Sequence, residues 1–190
     1  ERFIYRISIS PYRSNFLLKG GSLLYAYNGL KNRPTKDIDF LADQISNDQE
    51  HLMHVVAEIS QMSCKEDGVV FDPLTITAEP ITEEGRYQGT RISITGHLDT
   101  ITQVISFDIG FGDIIVPAPV ELDYPVFLDT TPPIRIWAYS LETVIAEKFE
   151  TMVERDTENS RMKDFFDCYQ LLKHKQDLID NEVLGRAIKV

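Results

Sequence analysis

Cysteine is nearly absent from this chain. Cys64 and Cys168 are the only two, far apart and with no neighbouring His or Cys at metal-ligand spacing, so neither a disulfide framework nor a cysteine-based zinc site is written into the sequence. Both thiols are expected to be free in a reducing compartment. Cationic residues are also scarce: 19 Lys and Arg stand against 30 Asp and Glu, a formal net charge of −11 at pH 7. That argues against broad non-specific nucleic-acid binding, although a local basic groove needs only a few well-placed charges. No apolar run approaches the ~20 residues of a membrane span. No charged-then-apolar leader is present, which leads to the expectation of a cytoplasmic protein with no membrane partner. Internal repeats and low-complexity tracts are lacking as well.

What is present is an ordinary globular composition, 43% hydrophobic and 26% charged over 190 residues, enough for one domain or a domain with a small appendage. A start at Glu1 rather than Met, and a stop at Val190 within a helical pattern, lead to the expectation of a piece of a longer protein.

Along the chain, Phe3, Ile4, Ile7 and Ile9 recur at helical spacing before Pro11, predicting a helix that covers a sheet. Residues 16–18 read as a short strand and 22–27 as a short helix stopped by Asn28-Gly29. Ser46 or Asn47 is the expected cap of a helix carrying Leu52, Val55, Val56, Ile59 and Met62. On that helix His51 and His54 lack a third ligand and read as solvated. From residue 69 to 109 alternation and β-branched residues take over, predicting three antiparallel strands, 69–79, 86–98 and 100–109, that extend the sheet. Residues 111–139 hold Pro117, Pro119, Pro125, Pro132 and Pro133 and read as ordered loop and edge strand. Beyond them the pattern is helical, with Ser140 as a cap and Leu141, Val144, Ile145, Phe149, Met152 and Val153 as one stripe. A second helix carries Phe165, Phe166, Tyr169 and Leu172 on one side and Asp164 and Asp167 on the other. A third begins near Asp180. The division expected is 1–135 for a catalytic domain and 136–190 for a helical region.

The chemistry gathers between residues 16 and 41. Gly20-Gly21-Ser22 follows the first strand, and Asp37-Ile38-Asp39-Phe40 places two carboxylates at alternate positions, on one face of a strand, with Ile38 and Phe40 on the other. Two carboxylates on one face repel unless a cation lies between them, and Mg²⁺ takes one or two protein carboxylates together with water and phosphate oxygens. The glycines let a backbone approach a phosphate, and Ser22 can open a helix whose N-terminus favours an anion. Asp108, alone in an apolar alternating strand, faces away from the core and is a candidate third ligand. Lys31, Arg33 and Lys36 crowd the connection before the acids.

This set resembles the nucleotidyltransferase fold of the DNA polymerase β superfamily. The blocks Ser10-Pro11-Tyr12, Phe16 through Leu24, Arg33 through Asp39, Ala146-Glu147-Lys148-Phe149 and Ser160 through Asp167 resemble, more closely, the AbiEii/AbiGii toxin family. The resemblance implies an α+β fold, a mixed or antiparallel sheet flanked by helices and followed by a C-terminal helical part that completes the site. It also implies transfer of a nucleoside monophosphate from an NTP to a tRNA or protein hydroxyl with two Mg²⁺ ions, and a cognate antitoxin as partner. Carried over position by position, Gly20, Gly21 and Ser22 would hold the triphosphate, and Asp37, Asp39 and Asp108 the metals. Lys148 would contact phosphates, Asp164 would orient Lys148 or the nucleotide, and Arg33 and Arg161 would add phosphate contacts. A degenerate nucleotide- or antitoxin-binding module and a transferase for small cationic acceptors such as aminoglycosides are the competing readings.

Overall fold

The computed structural model describes residues 1–29, 35, 37–64, 67–83, 86–127, 132–155 and 162–190. Arg33 and Arg161, like Lys31 and Lys36, lie outside the described residues.

The chain divides into two compact units, one of Glu1–Asp113 with Glu121–Ala138, the other of Ile114–Val120 with Tyr139–Val190. The first is built on a seven-stranded sheet, in the order β3-β4-β5-β2-β1-β7-β6. Its strands are β1 (Phe16–Lys19), β2 (Ile38–Ala42), β3 (Val69–Glu83), β4 (Arg86–Leu98), β5 (Ile101–Phe111), β6 (Val120–Tyr124) and β7 (Ile134–Ala138). The helices of this unit are α1 (Arg2–Ile9), α2 (Gly20–Asn28) and α3 (Gln49–Ser60). β3, β4 and β5 form the expected antiparallel set. Its join to the acid-bearing strand is parallel, β5 beside β2, and β1 beside β7 is parallel too, so the sheet is mixed.

One face of the sheet is aromatic and sealed. Phe40 of β2 stands edge-on to Phe16 and Phe107, and Phe3 of α1 stacks on Phe107 and meets Phe71 edge-on. Phe3, Phe16, Phe40 and Phe107 are all buried, and each such side chain contributes about 1.5–3 kcal/mol. Leu52, Val55, Val56 and Ile59 of α3 are buried as well. The cap of α3 is Asp48 rather than Ser46 or Asn47: its carboxylate accepts from the His51 N–H at 2.9 Å, while the Ser46 hydroxyl accepts from the Asp48 N–H. His51 and His54 are exposed, as expected. Arg6 pins α1 to the segment entering β3 by binding Asp67 at 2.8 Å and the Val69 carbonyl at 2.7 Å, in a site where both side chains are buried.

The second unit holds α4 (Leu141–Arg155), α5 (Met162–His174) and α6 (Asn181–Ala187). Ser140 caps α4 as expected, accepting from the Thr143 N–H at 3.2 Å. The Thr143 hydroxyl binds the Val116 carbonyl, and Glu142 accepts from the Asp180 N–H, so α4 fastens the 114–120 loop and the start of α6. Asp180 caps α6 through Glu182 and Val183. Neither cysteine forms a disulfide, and both are buried. Among the described residues no helix is long and apolar enough to cross a membrane.

Candidate active site

The second face of the sheet carries charge. Register places Lys19 opposite Asp39 across β1 and β2, Asp39 opposite Asp108 across β2 and β5, Asp108 opposite Arg91 across β5 and β4, and Arg91 opposite Glu79 across β4 and β3. Register partners share a face, so five strands contribute one row of charges with two carboxylates adjacent at its centre. Period two explains why the row is possible. Phe40 and Phe107 turn into the aromatic core, and the acids beside them in sequence turn the other way.

Asp39 is the most constrained member. Burial, and then the charge of Asp108, raise its carboxyl above the ordinary range, while Lys19 and the Gly21 N–H, which donates to it, pull in the opposite direction. Asp37 adds a further raising influence, which places the three acids in one electrostatic neighbourhood. Asp37 itself is exposed, and its carbonyl accepts from the Ser22 hydroxyl at 3.0 Å and the Thr35 hydroxyl at 3.1 Å.

The glycines have a structural task that the sequence did not disclose. Gly20 sits at φ +62°, and a Cβ there would stand 2.0 Å from Asp39 Oδ2; a Cβ on Gly21 would stand 2.7 Å from Thr35 Oγ1. Both positions therefore make room for side chains of this site. Ser22 does not open the helix: α2 begins at Gly20, with Lys19 as its cap residue, and Ser22 is buried in the first turn.

Asp108 has a partner that sequence reading missed. Arg91 grips it with both Nε and Nη2 at 2.7 Å, one nitrogen to each carboxylate oxygen. The pairing was in principle legible, because a two-residue turn at Asp99-Thr100 sets Leu98 against Ile101 and, counted back in pairs, Arg91 against Asp108. Lys19 likewise has an acid partner, Asp113, at 2.6 Å.

In the helical unit Lys148 is buried between two carboxylates, 2.9 Å from Asp164 Oδ1 and 2.9 Å from Asp167 Oδ2. Burial alone would lower its pKa, but hydrogen bonds to Asp164 and Asp167 outweigh that and hold it above the ordinary lysine value. Asp164 is thus one partner of Lys148, and Asp167, which the sequence reading did not single out, is a second. The polarity of α5 corrects the amphipathic expectation. Asp164, Asp167, Cys168 and Leu171 form its buried face, whereas Phe165, Phe166, Tyr169 and Leu172 are exposed.

Among the described residues, no group of three His, Cys, Asp or Glu side chains is arranged to hold a metal ion. The donor chemistry nonetheless suits a hard cation: carboxylates only, two of them register partners, and one raised by its neighbour's charge.

Several solved structures share this fold. The crystal structure of JHP933 from Helicobacter pylori superposes with a TM-score of 0.58 at 19% identity, covering 97% of this chain and 68% of that one. A putative nucleotidyltransferase from H. pylori gives 0.55 at 16% identity, covering 97% and 70%. The antibiotic-resistance factor ANT(2'')-Ia gives 0.50 at 14% identity, covering 99% and 88%. At these identities the likeness is one of fold. A search of curated proteins gives no significant match. The sequence model of one family, described as nucleotidyl transferase AbiEii toxin, type IV TA system, matches residues 2–190. With nearly its whole length matched, the chain belongs to the AbiEii family of nucleotidyl transferases.

Proposed function

We propose that the protein moves a nucleoside monophosphate from an NTP to an acceptor hydroxyl and releases pyrophosphate. The observation that carries this reading is the pairing of Asp39 and Asp108 on adjacent parallel strands beside Gly20 and Gly21 at the start of α2, with Asp37 close enough to influence Asp39. The two acids repel one another, and the cations the protein itself sets beside them are Lys19 next to Asp39 and Arg91 next to Asp108. Asp37, Asp39 and Asp108 would hold Mg²⁺. When bound, the ion stabilises charge on the triphosphate and favours the ionised form of an attacking hydroxyl.

The residues of the chain then have separate tasks. Asp39 is oriented by the Gly21 N–H and offset by Lys19, which fixes where its charge lies. The first turn of α2 presents backbone N–H groups suited to phosphate oxygens, with Ser22 buried in that turn. Asp108 would accept the proton of the acceptor hydroxyl. Lys148 keeps its proton between Asp164 and Asp167 and would serve as a permanent cation for phosphate, with Asp164 orienting it. Arg33 and Arg161 remain candidate phosphate contacts from the resemblance alone.

The acceptor we propose is a tRNA or protein hydroxyl, in a toxin that a cognate antitoxin restrains; family membership supports this. The net charge of −11 favours a second reading, transfer to a small cationic acceptor of the aminoglycoside kind. The test is incubation with each α-labelled NTP and Mg²⁺, with total tRNA, with protein extract or with an aminoglycoside, beside Asp39→Ala. Label on RNA or protein in the wild type alone supports the first reading, and label on the aminoglycoside alone the second. Retained nucleotide binding with no label under any condition identifies a binding module without turnover.

A further inference from the structure

Both oxygens of Asp108 are engaged by a cation of the protein itself. The Arg91 guanidinium lies flat against it, Nε to Oδ1 and Nη2 to Oδ2, each at 2.7 Å. Such a bidentate fork is among the stronger side-chain pairings and fixes the plane of the carboxylate. It is also reversible at modest cost here. The Arg91 side chain is 47% exposed, so it can swing without opening a cavity, and exposed Glu79, its register partner on β3, offers a second acid on the same face.

We propose that Arg91 is a resident counter-cation for Asp108: it occupies the carboxylate while the metal is absent and gives it up when a divalent cation binds. This inference rests on the nucleotidyltransferase reading of the Asp37, Asp39 and Asp108 set. Arg91 is then a positioning residue. It compensates Asp108 as Lys19 offsets Asp39, and it makes metal entry a competition rather than a simple addition. The consequence is weaker, later metal binding than three bare carboxylates would give, so that the site fills when the triphosphate brings its own ligands to the ion.

The experiment is a titration of the full chain with Mn²⁺ in the absence of nucleotide and acceptor, reading free Mn²⁺ by its electron paramagnetic resonance signal. The proteins are wild type, Arg91→Met, Arg91→Lys, Asp108→Asn and the Arg91→Met/Asp108→Asn double variant, each checked for folding by circular dichroism. The expectation is about tenfold tighter binding in Arg91→Met, the scale of one charge-assisted pairing. Arg91→Lys, which keeps the charge but loses the fork, falls between it and wild type. In the Asp108→Asn background the effect of Arg91→Met disappears. Unchanged or weaker binding in Arg91→Met overturns the inference while leaving the metal site standing, as does an enhancement of the same size in the Asp108→Asn background. Absence of Mn²⁺ binding in every variant overturns both this inference and the metal-site reading beneath it.

Discussion

Asp39 of β2 and Asp108 of β5 are register partners on neighbouring parallel strands, and their carboxylates lie on the same face of the sheet. Like charges directly opposite one another are destabilising, and Lys19 beside Asp39 and Arg91 beside Asp108 offset that repulsion. The cost is visible at Asp39, whose carboxyl is raised by burial and then by Asp108.

A carboxyl raised in the fold holds its proton more tightly there than in the unfolded chain. Stability contributed by this group therefore falls as pH rises from the ordinary value of 3.8 through the higher folded value. Asp39→Asn removes that loss. In metal-free buffer the variant is expected to be more stable than wild type by about 1 kcal/mol at neutral pH, with an advantage that grows as pH rises from 3.8 through the folded value and levels off above it. Urea unfolding across that range checks it, and a variant less stable than wild type at pH 7 contradicts it.

Gly20 supplies a prediction that separates backbone strain from site damage. Gly20→Ala must accommodate both φ +62° and a Cβ 2.0 Å from Asp39 Oδ2, whereas Gly29 shares a φ of +61° and has nothing within 4 Å of its Cβ position. Gly29→Ala is expected to cost about 1 kcal/mol with normal transfer activity. Gly20→Ala is expected to cost about 1–3 kcal/mol more and to abolish transfer. Equal stability and activity in the two variants would show that Asp39 does not depend on Gly20.

Lys148 is held by Asp164 and Asp167, with all three side chains at or below 10% exposure. Lys148→Met leaves two buried acids facing each other and is expected to destabilise the helical unit by about 3–5 kcal/mol. Lys148→Met/Asp164→Asn/Asp167→Asn should recover most of that. The lysine's pKa is raised, so its contribution is complete at neutral pH and is lost only as pH rises through its folded value, above 10.5. Denaturant unfolding followed by helical circular dichroism reads both effects, and a triple variant no better than Lys148→Met would contradict this account.

The Arg6–Asp67 pair sets an acid limit on stability. Burial alone would raise Asp67, but the Arg6 guanidinium and the Val69 N–H overcome it and hold the carboxyl below its ordinary value. Its contribution is therefore fully present above 3.8 and is lost as pH falls through the lower folded value. Asp67→Asn is expected to cost about 3–5 kcal/mol at pH 7 and to flatten the fall in stability below pH 4. An unchanged acid limb in the variant would remove Asp67 from the explanation.

What could be read from the sequence follows the range of the physics involved. The opposite facing of Asp39 and Phe40 was legible because strand alternation is a local rule, although β2 begins at Ile38, one residue after Asp37, and the stop at Gly29 because a residue at φ +61° favours glycine. The resemblance added the family, now shown over residues 2–190. What was not legible depends on partners distant in sequence. The acids of α5 face inward because Lys148, on another helix, meets them there, and no periodicity within α5 announces that. Asp67 is held by Arg6 from α1, a partner 61 residues away in sequence. Arg91 reached Asp108 through hairpin register, which shifts with a single residue of turn length. Asp48 displaced Ser46 as the cap of α3 by a geometric margin that residue type alone does not resolve.

Transfer of a nucleoside monophosphate at the Asp39–Asp108 pair is tested most directly by comparing α-labelled with γ-labelled NTP on the acceptor. The expected result is acceptor labelled from the α position only, pyrophosphate released in equal amount, and neither product from Asp39→Asn or Asp108→Asn. Acceptor labelled from the γ position, or transfer that survives both substitutions, would contradict it.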